Sequence, residues 1–194
     1  MGAAGKAFRN WRSNADRHGT PDDVVAFWRA SSDRWFEKDA AFDVAFRDRF
    51  LDLHMAVATR RHDGWIETPS RALALLILTD QFPRNAFRGT AHMFATDALA
   101  CHYARLSLEA GHLARVESDL RLFFCLPFAH SEEMADQEMS VRLNTGLGQP
   151  WLEHASGHRD IIRRFGRFPH RNSMLGRTTT PEEAAYLKGG GFQG

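Results

Sequence analysis

Three times along this chain a threonine is followed by a proline and then by polar residues: Thr20-Pro21-Asp22-Asp23, Thr68-Pro69-Ser70-Arg71 and Thr180-Pro181-Glu182-Glu183. A threonine so placed caps the first free amides of a helix. Proline suits the first helical position, where no amide is needed for a helical hydrogen bond. Glu183, three residues after Thr180, completes a capping box. No run of residues alternates apolar and polar between turn signals, so a sheet is not expected. A chain punctuated in this way folds into helices.

The apolar spacing divides it into about eight. The first helix carries Val24, Val25, Phe27 and Trp28. The second follows Asp39, places Phe42, Phe46, Phe50, Leu53 and Val57 on one stripe, and is expected to end near Gly64. The third, from Ser70 to about Gln81, is apolar on most faces and is expected to be buried. Phe82-Pro83 should stop it, because the residue before proline is pushed out of the helical region. A fourth starts at Thr96 or Asp97 and ends before Gly111. A fifth spans Val116 to Leu126 and should stop at Pro127, and a sixth runs from Ser131 to the Gly146/Gly148 break. A seventh runs from Pro150 to Gly166, and the last follows Thr180. The architecture expected is all-α, made of antiparallel helix pairs joined by short loops. Residues 1–19 read as a flexible leader and 20–188 as one helical domain. The glycine-rich 189–194 reads as a flexible tail whose Phe192 could dock.

Charge and composition narrow the function classes. Lys+Arg total 25 and Asp+Glu 24, so the chain is close to neutral and is not a generic binder of nucleic acid or of a membrane surface. Only Lys6, Lys38 and Lys188 are lysines. The other cations are arginines, which suit planar, two-pronged pairing with carboxylates or phosphates. The longest apolar run, Ala72 to Leu78, is far short of the ~20 residues that a membrane span needs. No N-terminal stretch resembles a signal peptide. Cys101 and Cys125 lie in apolar helical contexts and read as reduced, buried side chains. These features fit a soluble, cytoplasmic protein.

Four constellations could carry chemistry. The first is the corner Asp80-Gln81-Phe82-Pro83-Arg84-Asn85…Arg88-Gly89, where a carboxylate at the end of a buried helix needs a cationic partner. The second is His130-Ser131-Glu132-Glu133…Asp136-Gln137, whose acids suit either helix capping by Ser131 or acid–base work beside His130. The third, His154-x-x-x-His158, has the spacing of a zinc pair, but no glutamate follows the first histidine and no metal is expected. The fourth is Arg167-Phe168-Pro169-His170-Arg171-Asn172, a rigid turn bearing guanidinium, imidazole and amide groups. It echoes the first corner: Phe-Pro, then Arg-Asn, occurs in both. These arginines either face a ligand or neutralise Asp80, Glu132, Glu133 and Asp136.

The strings Asp80 to Thr90, Phe94-Ala95-Thr96-Asp97, His130-Ser131-Glu132, Asp136-Gln137 and His158 to Arg177, with Thr180-Pro181-Glu182-Glu183, together resemble a bacterial family known as domain of unknown function 924. The similarity runs from about Pro21 to Phe192, with Glu133 standing where the family often has Asp. The resemblance implies an all-helical fold like that of the tetratricopeptide-repeat (TPR) superfamily, and it carries no activity and no catalytic residues. A clean repeat of about 34 residues is not found in this chain.

The leading expectation is a cleft that binds a small anionic or polar ligand. It would be lined by Asp80, Arg84, Asn85, Arg88, His130, Glu132, Arg167, His170, Arg171 and Asn172. A second reading is a helical scaffold for a protein partner, with the charged motifs as internal staples. A third is a hydrolase or lyase using His130 or His170 as acid–base. Neither a cofactor nor an oligomeric state follows from the sequence.

Overall fold

A computed structural model describes residues 19–194, and the fold is all-α, with no strand among the described residues. The leader expected over residues 1–19 lies outside the described residues, Gly19 excepted. The α-helical segments are α1 (Pro21–Ala30), α2 (Ala40–Ala58), α3 (Pro69–Leu76), α4 (Phe82–Ala86), α5 (Asp97–Glu109), α6 (Leu122–His130), α7 (Met134–Leu147), α8 (Trp151–Phe165) and α9 (Pro181–Lys188). One π turn, Ile77–Gln81, joins α3 to α4 without a break, so the chain forms eight rods among the described residues.

The caps behave as their chemistry dictates. Thr20 accepts from the Asp23 amide at 3.2 Å while the Asp23 carboxylate accepts from the Thr20 amide at 2.7 Å. Thr180 and Glu183 repeat this box at 3.2 and 2.8 Å. Thr68 is extended ahead of Pro69 but makes no side-chain cap. Asp39 caps α2 through the amides of Ala41 and Phe42. The expected stripe of α2 is buried along its length, from Phe42 to Val57.

Several boundaries differ from the sequence expectation, each for a tertiary reason. The helix does not stop at Phe82-Pro83. Pro83 has no amide to give to Thr79 or Leu78, yet those carbonyls are not left bare. Thr96 Oγ1 donates to Thr79 O at 2.6 Å, and His54 Nδ1 donates to Leu78 O at 2.9 Å. The wider π turn, in which the Phe82 amide reaches back to Ile77 O, passes the chain through the proline. Pro127 likewise lies inside α6, not after it. That helix starts at Leu122, after two 3₁₀ turns, and is buried on nearly every face, so packing outweighs the proline penalty. α2 ends at Ala58, before Gly64, where Thr59 Oγ1 turns back onto Met55 O and Ala56 O. Ser131 does not cap α7. Glu133 occupies that position, and Ser131 instead donates to Asp136 at 2.8 Å.

α1 packs on α3, α2 on α4, α5 on α6, α6 on α7 and α7 on α8. The main apolar core gathers Trp28, Phe46, Phe50, Phe82, Phe123 and the leucines of α3. A smaller cluster of Ile161, Ile162 and Phe168 lies under α8. Between the two runs a seam of buried polar side chains that includes Asp80, Gln81, Asn85, Arg171 and Asn172. Both thiols are buried, and burial pushes each up to about 12.

If Thr96 replaces the missing proline donor, Thr96→Val should destabilise the fold by about 1–3 kcal/mol, the cost of a buried unpaired carbonyl. Urea unfolding would show this as a lower midpoint at unchanged slope.

Candidate functional site

The π turn places Asp80 at the bottom of a cleft, 1% exposed. Its Oδ2 accepts from Gln81 Nε2 at 2.6 Å. Its Oδ1 faces His130 Nδ1 at 2.6 Å and Arg84 Nη2 at 3.3 Å. Burial alone would raise the Asp80 carboxyl, but the adjoining His130 and Arg84 outweigh it and bring it down to about 2. Asp80 is therefore an anion at neutral pH.

Arg84 is the hub. Its Nη2 also donates to Asp97 Oδ1 at 2.8 Å, and its Nη1 to Met93 O at 3.2 Å. The other oxygen of Asp97 takes Arg171 Nη1 at 3.3 Å. Arg171 donates further to His130 O at 2.9 Å and lies over the rings of Phe94 and Phe168, 4.6 and 4.5 Å from their centroids. The two echoed corners thus meet on one carboxylate, with Arg84 from the first and Arg171 from the second. Burial and the neighbouring Arg84 bring Arg171 down to about 10, while burial holds Asp97 above the ordinary carboxylate range.

Two cavities open above this network, one of about 310 Å³ and one of about 520 Å³. They share Lys38, Arg84, Arg88, His130 and His158 as lining, and the wall between them is the segment read as a tail. That segment is seated. The Phe192 ring packs at 4.7 Å from His158 and 5.0 Å from His170, its amide donates to Tyr186 Oη at 2.9 Å, and Lys38 Nζ reaches Gly194 O at 3.4 Å. Burial, with Arg171 among the facing cations, brings His158 down to about 3 and His170 to about 4, so both are neutral.

Of the sequence candidates, Arg84, Arg88, His130, His170 and Arg171 line the smaller cavity. Asn85 lines the larger one and braces Gln81 O, and Asp80 lies beneath. Glu132, Arg167 and Asn172 line neither cavity and form a frame. Glu132 accepts from the Phe168 amide at 2.8 Å and pairs with Arg177. Arg167 holds Glu183 in a two-pronged pair at 2.6 and 2.9 Å, and Asn172 donates to Glu183 as well. Arg88 is itself pinned by Asp43 at 2.7 and 3.0 Å. The candidate set omits Lys38, Phe94, Asp97, His158 and Phe192. Asp97 had a signal: a buried double-arginine corner requires an acid from outside it.

Comparison with known proteins comes down on one family. The model of the bacterial protein of unknown function family DUF924 matches residues 24–191. The chain belongs to this family. The DUF924 match takes in both echoed corners and nearly all of the cleft lining. A solved structure, that of the protein of unknown function ATU0120 from Agrobacterium tumefaciens, is 55% identical, with a TM-score of 0.85. The match covers 87% of this chain and 97% of that one. No curated protein matches.

His158 and His170 titrate in the folded state near 3 and 4, below the ordinary 6.5. The unfolded chain therefore takes up more protons as pH falls, and the stability these groups add above pH 6.5 is lost as pH falls toward 4 for His170 and toward 3 for His158. The unfolding free energy should decline over that window. In His158→Phe the decline should be shallower, as read by urea titrations at a series of pH values.

Proposed function

We propose that the cleft binds a small organic anion with an apolar body. The observation that carries this reading is the lining of the smaller cavity. Lys38, Arg84, Arg88 and Arg171 reach it, and among the described residues that line it there is no aspartate or glutamate. The buried acids Asp80 and Asp97 lie behind the arginines, where they fix the guanidiniums without facing the space. Met93, Phe94, Phe168 and Met174 supply an apolar wall. At about 310 Å³ the space suits a small metabolite.

Two further features support an anion. His158 Nδ1, His170 Nδ1 and Arg171 Nε are buried around this cleft with no hydrogen-bond partner among the described residues. The histidines are kept neutral by burial and by nearby cations, so a negative ligand would favour their protonation. The scaffold reading finds less support. Among the described residues the exposed large apolar side chains are Phe36, Val44, Met55 and Phe192, and two of these, Phe36 and Phe192, belong to the cleft walls.

Thermal-shift measurements against glutarate, phenylacetate and inorganic phosphate test the reading. A bound anion at a hundredfold excess over its Kd should add about 2.7 kcal/mol and raise Tm by several degrees. Lys38→Met, at an exposed position, should keep the unliganded Tm and weaken the shift. No shift with any of the three anions would sink it.

A further inference from the structure

One nitrogen of His130 is committed and the other is open. Nδ1 lies 2.6 Å from Asp80 Oδ1 and 3.2 Å from Arg84 Nε. It cannot both donate to the carboxylate and accept from the guanidinium. Asp80 is ionised and the shorter contact is to Asp80, so Nδ1 carries the proton and donates it there. Nε2 then holds the lone pair. It makes no hydrogen bond to the described residues and is not among the buried unpartnered atoms, while the ring lines both cavities.

The surroundings limit what that lone pair can do. Among the described residues lining either cavity there is no serine, threonine, cysteine or tyrosine, so no hydroxyl or thiol stands ready to attack a substrate. Water is the nucleophile left for His130 to activate. Arg84, fixed by Asp80 and Asp97, lies beside the imidazole, where it can meet negative charge building on a carbonyl oxygen.

We propose that His130 is the general base of a hydrolase acting on a carboxylic ester of a small organic anion, with Asp80 as its positioning residue. The inference rests on the anion-binding reading of the cleft. His130 Nε2 takes a proton from water as the water oxygen bonds to the ester carbonyl carbon. The carbon–oxygen bond to the alcohol then breaks, and the proton passes from Nε2 to the departing oxygen. One water is consumed, and one acid and one alcohol are released.

The groups that face His130 come from every side. Asp80 and Arg84 come from the π turn and α4, Asp97 from α5, His158 from α8, and His170 and Arg171 from the turn after α8. Asp80 favours the imidazolium, and Arg84 and burial oppose it.

The test uses the full chain, with mono-4-nitrophenyl glutarate as substrate, 4-nitrophenyl valerate as the neutral comparator and glutarate as the binding probe. Wild type should hydrolyse the anionic ester faster than the neutral one. His130→Gln should lower kcat/KM by about 10²–10⁴-fold and still bind glutarate by calorimetry, while the same change at His102, which lies on α5 and lines neither cavity, should leave the rate unchanged. Asp80→Asn removes a charge that favours the imidazolium, so the rising limb of its pH–rate profile should move to lower pH. A merely structural Asp80 would lower the rate and leave that limb in place. Glutarate binding without hydrolysis above the His130→Gln level overturns this inference and leaves the cleft reading standing. Absence of both binding and hydrolysis overturns the two together. Should His130→Gln not fold, His130→Asn takes its place, and a kcat/KM equal to that of wild type in a variant that still binds glutarate excludes His130 as the base.

Discussion

Asp97 gives one carboxylate oxygen to Arg84 and the other to Arg171, and the polar half of the molecule is organised around that sharing. Arg84 comes from the α4 corner, Arg171 from the turn after α8, and Asp97 from the start of α5. Three segments remote in sequence are thereby set against one another at hydrogen-bond precision. The ions are largely withdrawn from water, so each depends on the others. Removing one member leaves a buried charge without its partner, which generally costs about 3–5 kcal/mol. The apolar core alone could hold the helices together, but it would not fix where two guanidiniums and an imidazole point.

The same network explains how so many cations coexist in a small space. Asp80 and Asp97 stand behind the arginines and the histidines stay neutral, so the net charge at the cleft is far lower than the residue list suggests. Glu132, Glu183 and Asp43 do a similar task further out, anchoring Arg177, Arg167 and Arg88. The Glu132 and Glu183 pairs fix the turn that carries His170 and Arg171, the Asp43 pair holds Arg88 at the cavities, and the inner pairs fix Arg84 and Arg171.

Much of this was open to inspection in the sequence, and the rest was hidden for definite reasons. The Thr-Pro starts, the Asp39 cap and the Phe42–Val57 stripe depend on residues a few positions apart, so local chemistry reveals them. Pro83 and Pro127 mislead because what carries a helix through each lies far away in sequence or in the packing. At the cleft, the Phe-Pro and Arg-Asn echo marked Arg84 and Arg171, but Asp97 looks like an ordinary first residue of a helix. Glu132, Arg167 and Asn172 have the same chemistry as cleft residues and serve the frame, because residue type does not say which way a turn faces. Phe192 in the sequence is a group that could dock, but a run of glycines gives no hint of the wall it joins.

The proline passage between α3 and α4 bears on how the molecule opens. The carbonyls of Leu78 and Thr79 depend on a ring from α2 and a hydroxyl just ahead of α5. Ordinary helices can fray by giving up their own hydrogen bonds one at a time. This one borrows two from its neighbours, so loosening it strips partners from three elements at once. α2, the α3–α4 rod and the start of α5 are therefore tied into one cooperative unit, and the floor of the cleft opens only when that unit does.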